Sequence, residues 1–209
     1  MSPRLDLPLA VAAWMLGFLW IGLRGSWVPL ALMAVLLAAR LALADAETRR
    51  LLRPTGEGML LGLGGAALLI GATYGLYRPF TALLPWLPGA TRGLYGLLNA
   101  GGHPPAALAF LVLVMSVSEE VVWRGRTLSG AESAAGSRRL DGRALARVAA
   151  VGLLYGAASL SSGSLVLFAL SAGCGISWGL LRVAGRSLWP AILAHAAWDL
   201  TVLVGWPIG

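Results

Sequence analysis

Long apolar segments separated by short polar ones make up most of the chain. Segments of about 17 to 25 apolar residues cross the roughly 30 Å hydrocarbon layer of a bilayer as α-helices. Seven segments have lengths near this range, at 7–23, 27–44, 58–77, 104–123, 145–160, 165–183 and 188–204. The pattern therefore predicts an all-α, polytopic membrane helix bundle with about seven transmembrane helices, formed by residues 1–209 as a single domain.

Two polar regions interrupt this pattern. Residues 78–103 contain several prolines around Trp86 and Tyr95, a composition typical of an interfacial segment that lies on the membrane between the third and fourth helices. Residues 125–147 are polar and rich in arginine, and they predict a mobile aqueous loop between the fourth and fifth helices.

Composition and charge support a membrane protein and indicate its orientation. Of the 209 residues, 58% are hydrophobic and 12% are charged, and all 16 basic residues are arginines. When successive loops are assigned to opposite faces, 13 arginines fall on one face and three, Arg24, Arg78 and Arg92, on the other. Arginine excess marks the cytoplasmic face, so the N-terminus is predicted to be cytoplasmic. The arginines are not clustered with aromatic residues, which argues against nucleic-acid binding.

A charged cluster ends the fourth apolar segment. Residues 116–126 read Ser-Val-Ser-Glu-Glu-Val-Val-Trp-Arg-Gly-Arg. On a helix, Glu120 and Arg124 share a face and can form a charge-assisted pair. Glu119 points about 100° away and, in low-dielectric surroundings, is a candidate general base for water. The alternative is that both glutamates only mark the membrane boundary together with the two arginines.

A second polar pair lies in the last apolar segment. His195 and Asp199 are four residues apart, so they share one helical face, and they can hold a polarised imidazole or supply donors to an oxyanion. A helix–helix hydrogen bond is the simpler alternative. At about 1.5 Å per residue, Glu119 lies roughly 8 Å and His195 roughly 12 Å inward from the predicted cytoplasmic boundary. We therefore expect the two sites to share one cavity. The other histidine, His103, is predicted to be a surface-loop residue.

These residues resemble the motifs of one family of intramembrane proteases. Glu119 to Arg124 fits the EExxxR motif of the CAAX prenyl protease and bacteriocin-processing family, also called CPBP or ABI, and Gly125 is the glycine that usually follows it. His195 and Asp199 fit its HxxxN or HxxxD motif, and residues 187–192, Ser-Leu-Trp-Pro-Ala-Ile, resemble the run before that histidine. The resemblance covers about residues 111–203.

The resemblance implies an endopeptidase that needs no catalytic metal. In this family Glu119 would activate the attacking water with support from Glu120 and Arg124, and His195 and Asp199 would build the oxyanion site. It also implies a membrane-buried cavity that opens to the cytoplasm, in a protein of the bacterial cytoplasmic membrane in contact with lipid. The substrate would be a peptide or a membrane-associated protein.

One motif departs from the family pattern. The family's FxxxH motif corresponds to residues 155–159 here, Tyr-Gly-Ala-Ala-Ser, so that Ser159 replaces a histidine that helps the glutamate activate water. At about 1.5 Å per residue, Ser159 lies roughly 18 Å inward from Arg147, near the depth of Asp199, so we expect it to join the cavity. A serine, however, cannot take up a proton near neutral pH as imidazole can.

Several interpretations of this departure stay open. In one interpretation, Glu119 acts as the sole base. In a second, Tyr155 or a water molecule held by Ser159 assists Glu119. Otherwise the chain is a weakened or inactive relative that binds a peptide or protein, as an immunity or chaperone-like factor does. Ser159 could also be a nucleophile paired with His195, or a packing hydroxyl. Finally, Glu119, His195 and Asp199 are plausible zinc ligands, which leaves metal-dependent hydrolysis as a chemical alternative.

Overall fold

The computed structural model describes residues 6–128 and 141–208, and every regular element in these ranges is helical. Two of the helices continue directly as π-helices, and one ends in a 3₁₀ turn, Leu160–Ser162. The π-helical segments are Glu120–Thr127 and Leu200–Gly205. The α-helices are α1 Asp6–Arg24, α2 Val28–Ala44, α3 Ala46–Leu51, α4 Gly56–Leu83, α5 Leu87–Asn99, α6 Pro105–Glu119, α7 Gly142–Ser159, α8 Leu165–Gly185 and α9 Trp189–Asp199.

The predicted membrane bundle is confirmed. Among the described residues, five helical segments are long and apolar enough to cross a membrane: Leu7–Arg24, Gly56–Leu83, Pro105–Thr127, Gly142–Ser162 and Leu165–Gly185. The two remaining predicted spans are also helical, as the 17-residue α2 and as α9 with its π-helical continuation. Many leucines point outward, for example Leu36 and Leu43, which are 70% and 80% exposed. Lipid tails cover such surfaces without an energetic cost, because they are as apolar as leucine.

Local sequence signals explain where the helices begin. Asp45, Thr55, Asp141 and Ser164 each accept a hydrogen bond from the backbone N–H three residues later, at the starts of α3, α4, α7 and α8. Such side chains satisfy donors that the first turn of a helix leaves unpaired. Helices α2, α5, α6 and α9 instead have a proline in their first turn, where its missing N–H is not needed.

The two polar regions are more helical than their composition predicted. Helix α4 continues through Pro79 to Leu83, and α5 then buries Leu94 and Leu98 on one face. Both ends of the region 125–147, which was predicted as an aqueous loop, are helical: the π-helix continues to Thr127, and α7 begins at Gly142. The middle of that loop lies outside the described residues.

Helix α9 is the centre of the bundle and packs against α4, α6 and α8. Its approach to α4 requires glycine: a Cβ atom at Gly62 would lie 3.0 Å from Leu193 Cβ and from Pro190 Cα. Helices α7 and α8 also pack closely, and a Cβ atom at Gly156 would lie 2.7 Å from Cβ of Ala172. Small residues allow helix backbones to approach in lipid, where dispersion contacts hold helices together. These contacts bring the polar residues of α6, α7 and α9 together.

Candidate active site

A cavity inside the bundle contains the polar residues of three helices. Glu119, Tyr155, His195 and Asp199 line one part of it, and the remaining wall is mostly apolar. The space measures about 710 Å³ including the part that is open to the surroundings. Most of the apolar wall comes from α6, α8 and the π-helical segment after α9, with side chains such as Leu111, Val112, Met115, Leu167, Leu170 and Leu203. Glu119 and the His195–Asp199 pair therefore line one cavity, as the sequence predicted.

Glu120 and Arg124 form a buried ion pair behind the cavity. Nη1 of Arg124 donates to Oε1 of Glu120 at 3.0 Å, and both side chains are completely buried. The guanidinium also lies over the rings of Tyr155 and Trp178, at 4.7 and 5.3 Å from their centroids. A charge buried in this way needs its partner, because an unpaired charge in a low-dielectric interior is very costly. The pair is thus a fixed electrostatic support, outside the cavity lining.

Glu119 faces the cavity and accepts two hydrogen bonds. The indole N–H of Trp14 donates to Oε1 at 3.0 Å, and the hydroxyl of Tyr155 donates to Oε2 at 2.5 Å. The residue is 4% exposed. A buried carboxylate with lone pairs left for a water molecule has the chemistry of a general base.

His195 connects the two glutamates with Asp199. Its Nδ1 atom lies 2.8 Å from Oε1 of Glu120, and its Nε2 atom lies 3.1 Å from Oδ2 of Asp199 and 3.8 Å from Oε2 of Glu119. The ring stacks on Trp178 with a centroid separation of 3.5 Å and an interplanar angle of 17°. The stacking and the Nδ1 contact orient the ring so that Nε2 points to the cavity.

Asp199 has a second partner in the charged segment. The hydroxyl of Ser116 lies 2.9 Å from Oδ2 of Asp199 and the same distance from the carbonyl oxygen of Val112. The Asp199 side chain is 13% exposed, compared with 2% for His195 and 6% for Glu119. Of these three side chains, Asp199 is the most accessible from the cavity.

Both motif helices change to π-helix directly after a site residue. The π-helical segments start at Glu120 and Leu200, immediately after Glu119 and Asp199. A π-helix has more residues per turn than an α-helix, so the side chains that follow are rotated about the helix axis. Such segments are frequent at functional sites. The change directs Trp123 and Arg124 into the bundle, where both are completely buried.

Ser159 is placed differently from the expectation that it joins the cavity. It is completely buried, its hydroxyl donates to the carbonyl oxygen of Gly156 at 2.7 Å, and it does not line the cavity. A serine one turn from its acceptor satisfies its hydroxyl within its own helix. The residue of the same motif that reaches the site is Tyr155. His103 lies in the connection between α5 and α6, away from the cavity.

The cavity lining also reaches one end of the bundle. It includes Trp27, Leu94 and Leu203, which lie at the end of the bundle that carries the α1–α2 turn, α5 and the C-terminal residues. That end is opposite the arginine-rich one. At the arginine-rich end, Ser187 and Leu188 are buried and hydrogen-bond to the carbonyl oxygen of Leu51. The predicted opening of the cavity toward the cytoplasm stays a prediction.

Two aromatic residues of the site were missed by the sequence pattern. Trp14 lies in the first apolar segment and Trp178 in the sixth, and both are buried. A tryptophan in a transmembrane segment looks the same in sequence whether it faces lipid or a neighbouring helix. The sequence offers no signal that distinguishes them.

The fold and the site define an integral membrane protein of the helical type that holds a carboxylate–histidine cluster inside the bundle. Residues 101–201 match the family model described as type II CAAX prenyl endopeptidase Rce1-like. No curated protein and no solved structure matches the chain significantly.

The family recognised from the motifs is therefore confirmed, and the matched residues contain all three motifs. At the level of the family, the activity is that of a CAAX-type intramembrane endopeptidase. Helices α1 to α5, and Trp14 with them, lie outside the match.

Proposed function

We propose that this protein is an intramembrane endopeptidase in which Glu119 activates water to hydrolyse a peptide bond. The observation that supports the proposal is the meeting of Glu119, His195 and Asp199 at one cavity within an apolar bundle. Ionisable groups inside a membrane are costly and are usually retained for function. The matched family is one of endopeptidases, which agrees with this chemistry.

The reaction begins with water beside Glu119. The carboxylate takes one proton from the water as the oxygen attacks the carbonyl carbon of the substrate. A carbon–oxygen bond forms, and the carbonyl oxygen becomes an oxyanion. Glu119 then passes the proton to the leaving nitrogen as the carbon–nitrogen bond breaks. One water is consumed, and one carboxyl and one amine end are released.

His195 and Asp199 are assigned to the oxyanion. A doubly protonated His195 ring donates from Nδ1 to Glu120 and from Nε2 toward Asp199 or toward an oxyanion in the cavity. A donor that is already oriented stabilises the developing charge without reorganisation. Glu120 and Arg124 support this arrangement from behind, because Glu120 holds the ring and Arg124 holds Glu120.

The substrate proposed is a peptide or a membrane-associated protein segment with apolar side chains near the cleaved bond. The cavity wall beyond the polar cluster is formed mainly by apolar side chains of α6, α8 and the π-helical segment after α9. Such a wall favours apolar side chains through burial. The tail of a membrane protein, or a peptide partitioned into the lipid, has this character.

We place the protein in a bacterial cytoplasmic membrane with the N-terminus on the cytoplasmic side, as the arginine distribution supports. In that orientation the described cavity extends toward the opposite face. We therefore propose that the substrate segment approaches from that face or through the lipid, in place of the cytoplasmic entry implied by the family resemblance.

The decisive experiment compares wild type with Glu119→Gln in proteoliposomes over a broad panel of apolar peptides. Wild type should cleave part of the panel and Glu119→Gln should not. Glu57→Gln is the matched control, because Glu57 is exposed in the first turn of α4 and far from the cavity. If wild type is as inactive as Glu119→Gln on every peptide, proteolysis is refuted and the peptide-binding alternative replaces it.

A further inference from the structure

Glu119 is held by two aromatic donors that belong to two other helices. Trp14 comes from α1 and Tyr155 from α7, and each donates to a different oxygen of the carboxylate, at 3.0 and 2.5 Å. Nε2 of His195 is 3.8 Å from the nearer oxygen, which is beyond hydrogen-bond distance. The direction of the Glu119 carboxylate is therefore set by a tryptophan and a tyrosine.

The two donors are immobilised by the ring of Trp123. Its centroid lies 5.6 Å from that of Trp14 and 5.4 Å from that of Tyr155, with edge-to-face geometry in both contacts. All three aromatic residues are buried, at 0%, 0% and 4% exposure for Trp14, Trp123 and Tyr155. Trp123 lies about one turn after Glu119. The helical segment that carries the carboxylate therefore also carries the ring that packs against both of its donors.

Both donors are neutral, which suits a residue that must accept a proton. An indole N–H can only donate, and a phenol keeps its proton near neutral pH. Each donor uses one lone-pair direction of one oxygen and leaves the others for water. A salt bridge would hold the carboxylate equally well, but it would also reduce its tendency to accept a proton. Two neutral donors fix the direction of the carboxylate and reduce its tendency to accept a proton less than a salt bridge would.

We infer that Trp14 and Tyr155 are positioning residues for Glu119, and that Tyr155 provides the contact from α7 that Ser159 does not make. The inference rests on the proposed function, since it concerns the residue that activates water. It assigns a role to α1, which lies outside the segment that matches the family model. Trp14 and Tyr155 hold the base in place for attack and do not exchange protons with the substrate.

The test removes the indole N–H of Trp14 or the hydroxyl of Tyr155 and keeps an aromatic side chain at each position. We expect Trp14→Phe and Tyr155→Phe each to lower kcat about tenfold or more, and the double variant to lower it about 100-fold, because the base is no longer held in the attack geometry. KM should change by less than about twofold in each variant. A role limited to packing would not produce this separation of kcat from KM.

Two matched controls lose the same groups elsewhere. Trp189→Phe removes an indole N–H that donates to the carbonyl oxygen of Leu52, and Tyr95→Phe removes a hydroxyl that donates to the carbonyl oxygen of Val202. Neither side chain contacts the polar cluster. Both controls should retain kcat within about twofold.

An infrared measurement tests the hydrogen bonds without any substrate. The difference spectrum of wild type minus Glu119→Gln isolates the carboxylate stretch of Glu119. The same subtraction is then made in the Trp14→Phe background and in the Tyr155→Phe background. In each of them the frequency of the band should shift, because each variant removes one donor. It should stay in place in Tyr95→Phe.

The outcomes separate this inference from the proposed function. If wild type cleaves peptides but both donor variants keep normal kcat, the positioning role is overturned. If wild type cleaves nothing, the proposed function fails, and the infrared band alone tests the two contacts to Glu119. A shift of the band in the donor variants supports these contacts. An unchanged band overturns them. If one variant does not fold, the other carries the same test.

Discussion

The Nδ1 atom of His195 lies 2.8 Å from Oε1 of Glu120, a contact between motifs 75 residues apart in the chain. The same glutamate oxygen accepts from Arg124, so one buried carboxylate connects the arginine of the first motif to the histidine of the last. The contact of Nδ1 with a carboxylate fixes the orientation of the ring, and Nε2 is the atom that faces the cavity.

The first prediction concerns this shared carboxylate. Glu120→Gln should destabilise the folded protein by about 3–5 kcal/mol, because it leaves Arg124 buried without a counter-charge. It should also abolish most activity, since the His195 ring loses its anionic partner. Thermal unfolding in detergent measures the first effect and peptide cleavage the second. A melting temperature equal to that of Glu57→Gln would show that the ion pair is not required for stability.

The second prediction separates the two histidines. His195→Gln should lower kcat by about 10²–10³-fold, the loss that typically follows removal of one oxyanion donor. His103→Gln should leave kcat unchanged, because His103 lies outside the cavity. Steady-state kinetics on the same peptide decide the matter. Equal activity of the two variants would remove His195 from the mechanism.

The third prediction tests the space around Arg124. A Cβ atom at Gly175 would lie 2.8 Å from Nη2 of Arg124, whereas a Cβ atom at Gly173 would have no neighbour within 4 Å. Gly175→Ala should therefore displace the guanidinium, cost about 1–3 kcal/mol and lower activity. Gly173→Ala should change neither stability nor activity. Identical unfolding curves for the two variants would contradict the observed packing.

The fourth prediction concerns the serine in the histidine position of the middle motif. Ser159→Ala should cost only about 0.5–1.5 kcal/mol, the value of one hydrogen bond, with activity within about twofold of wild type. Ser159→His should lower stability without raising activity, because the position is completely buried and does not line the cavity. A histidine variant that cleaves faster than wild type would show that this position reaches the site.

The fifth prediction tests the direction in which the cavity opens. In a Cys174→Ala background, which has no other cysteine, Leu203→Cys should react with an impermeant thiol reagent from the face opposite the arginine-rich one. Arg53→Cys, in the exposed turn before α4, should react from the arginine-rich face. Labelling of sealed vesicles of known orientation gives the result. Labelling of both positions from the same face would place the opening at the arginine-rich end.

The sequence alone determined the fold class and the approximate positions of the apolar helices, because each apolar segment must satisfy its own backbone hydrogen bonds in lipid. It also determined that Glu120 pairs with Arg124, since both lie on one helix four residues apart. The family followed from short motifs whose residues are close together in the chain.

The tertiary structure alone decided which side chains meet across helices. The contacts of Trp14 and Tyr155 with Glu119, and the direction of Ser159 away from the cavity, depend on how each helix is rotated about its axis. That rotation comes from packing at glycines such as Gly156 and from the π-helical turns after Glu119 and Asp199. Packing between helices far apart in sequence leaves no periodic signal along the chain. Hydrophobicity therefore predicts the spans, and helix packing selects the residues that surround Glu119.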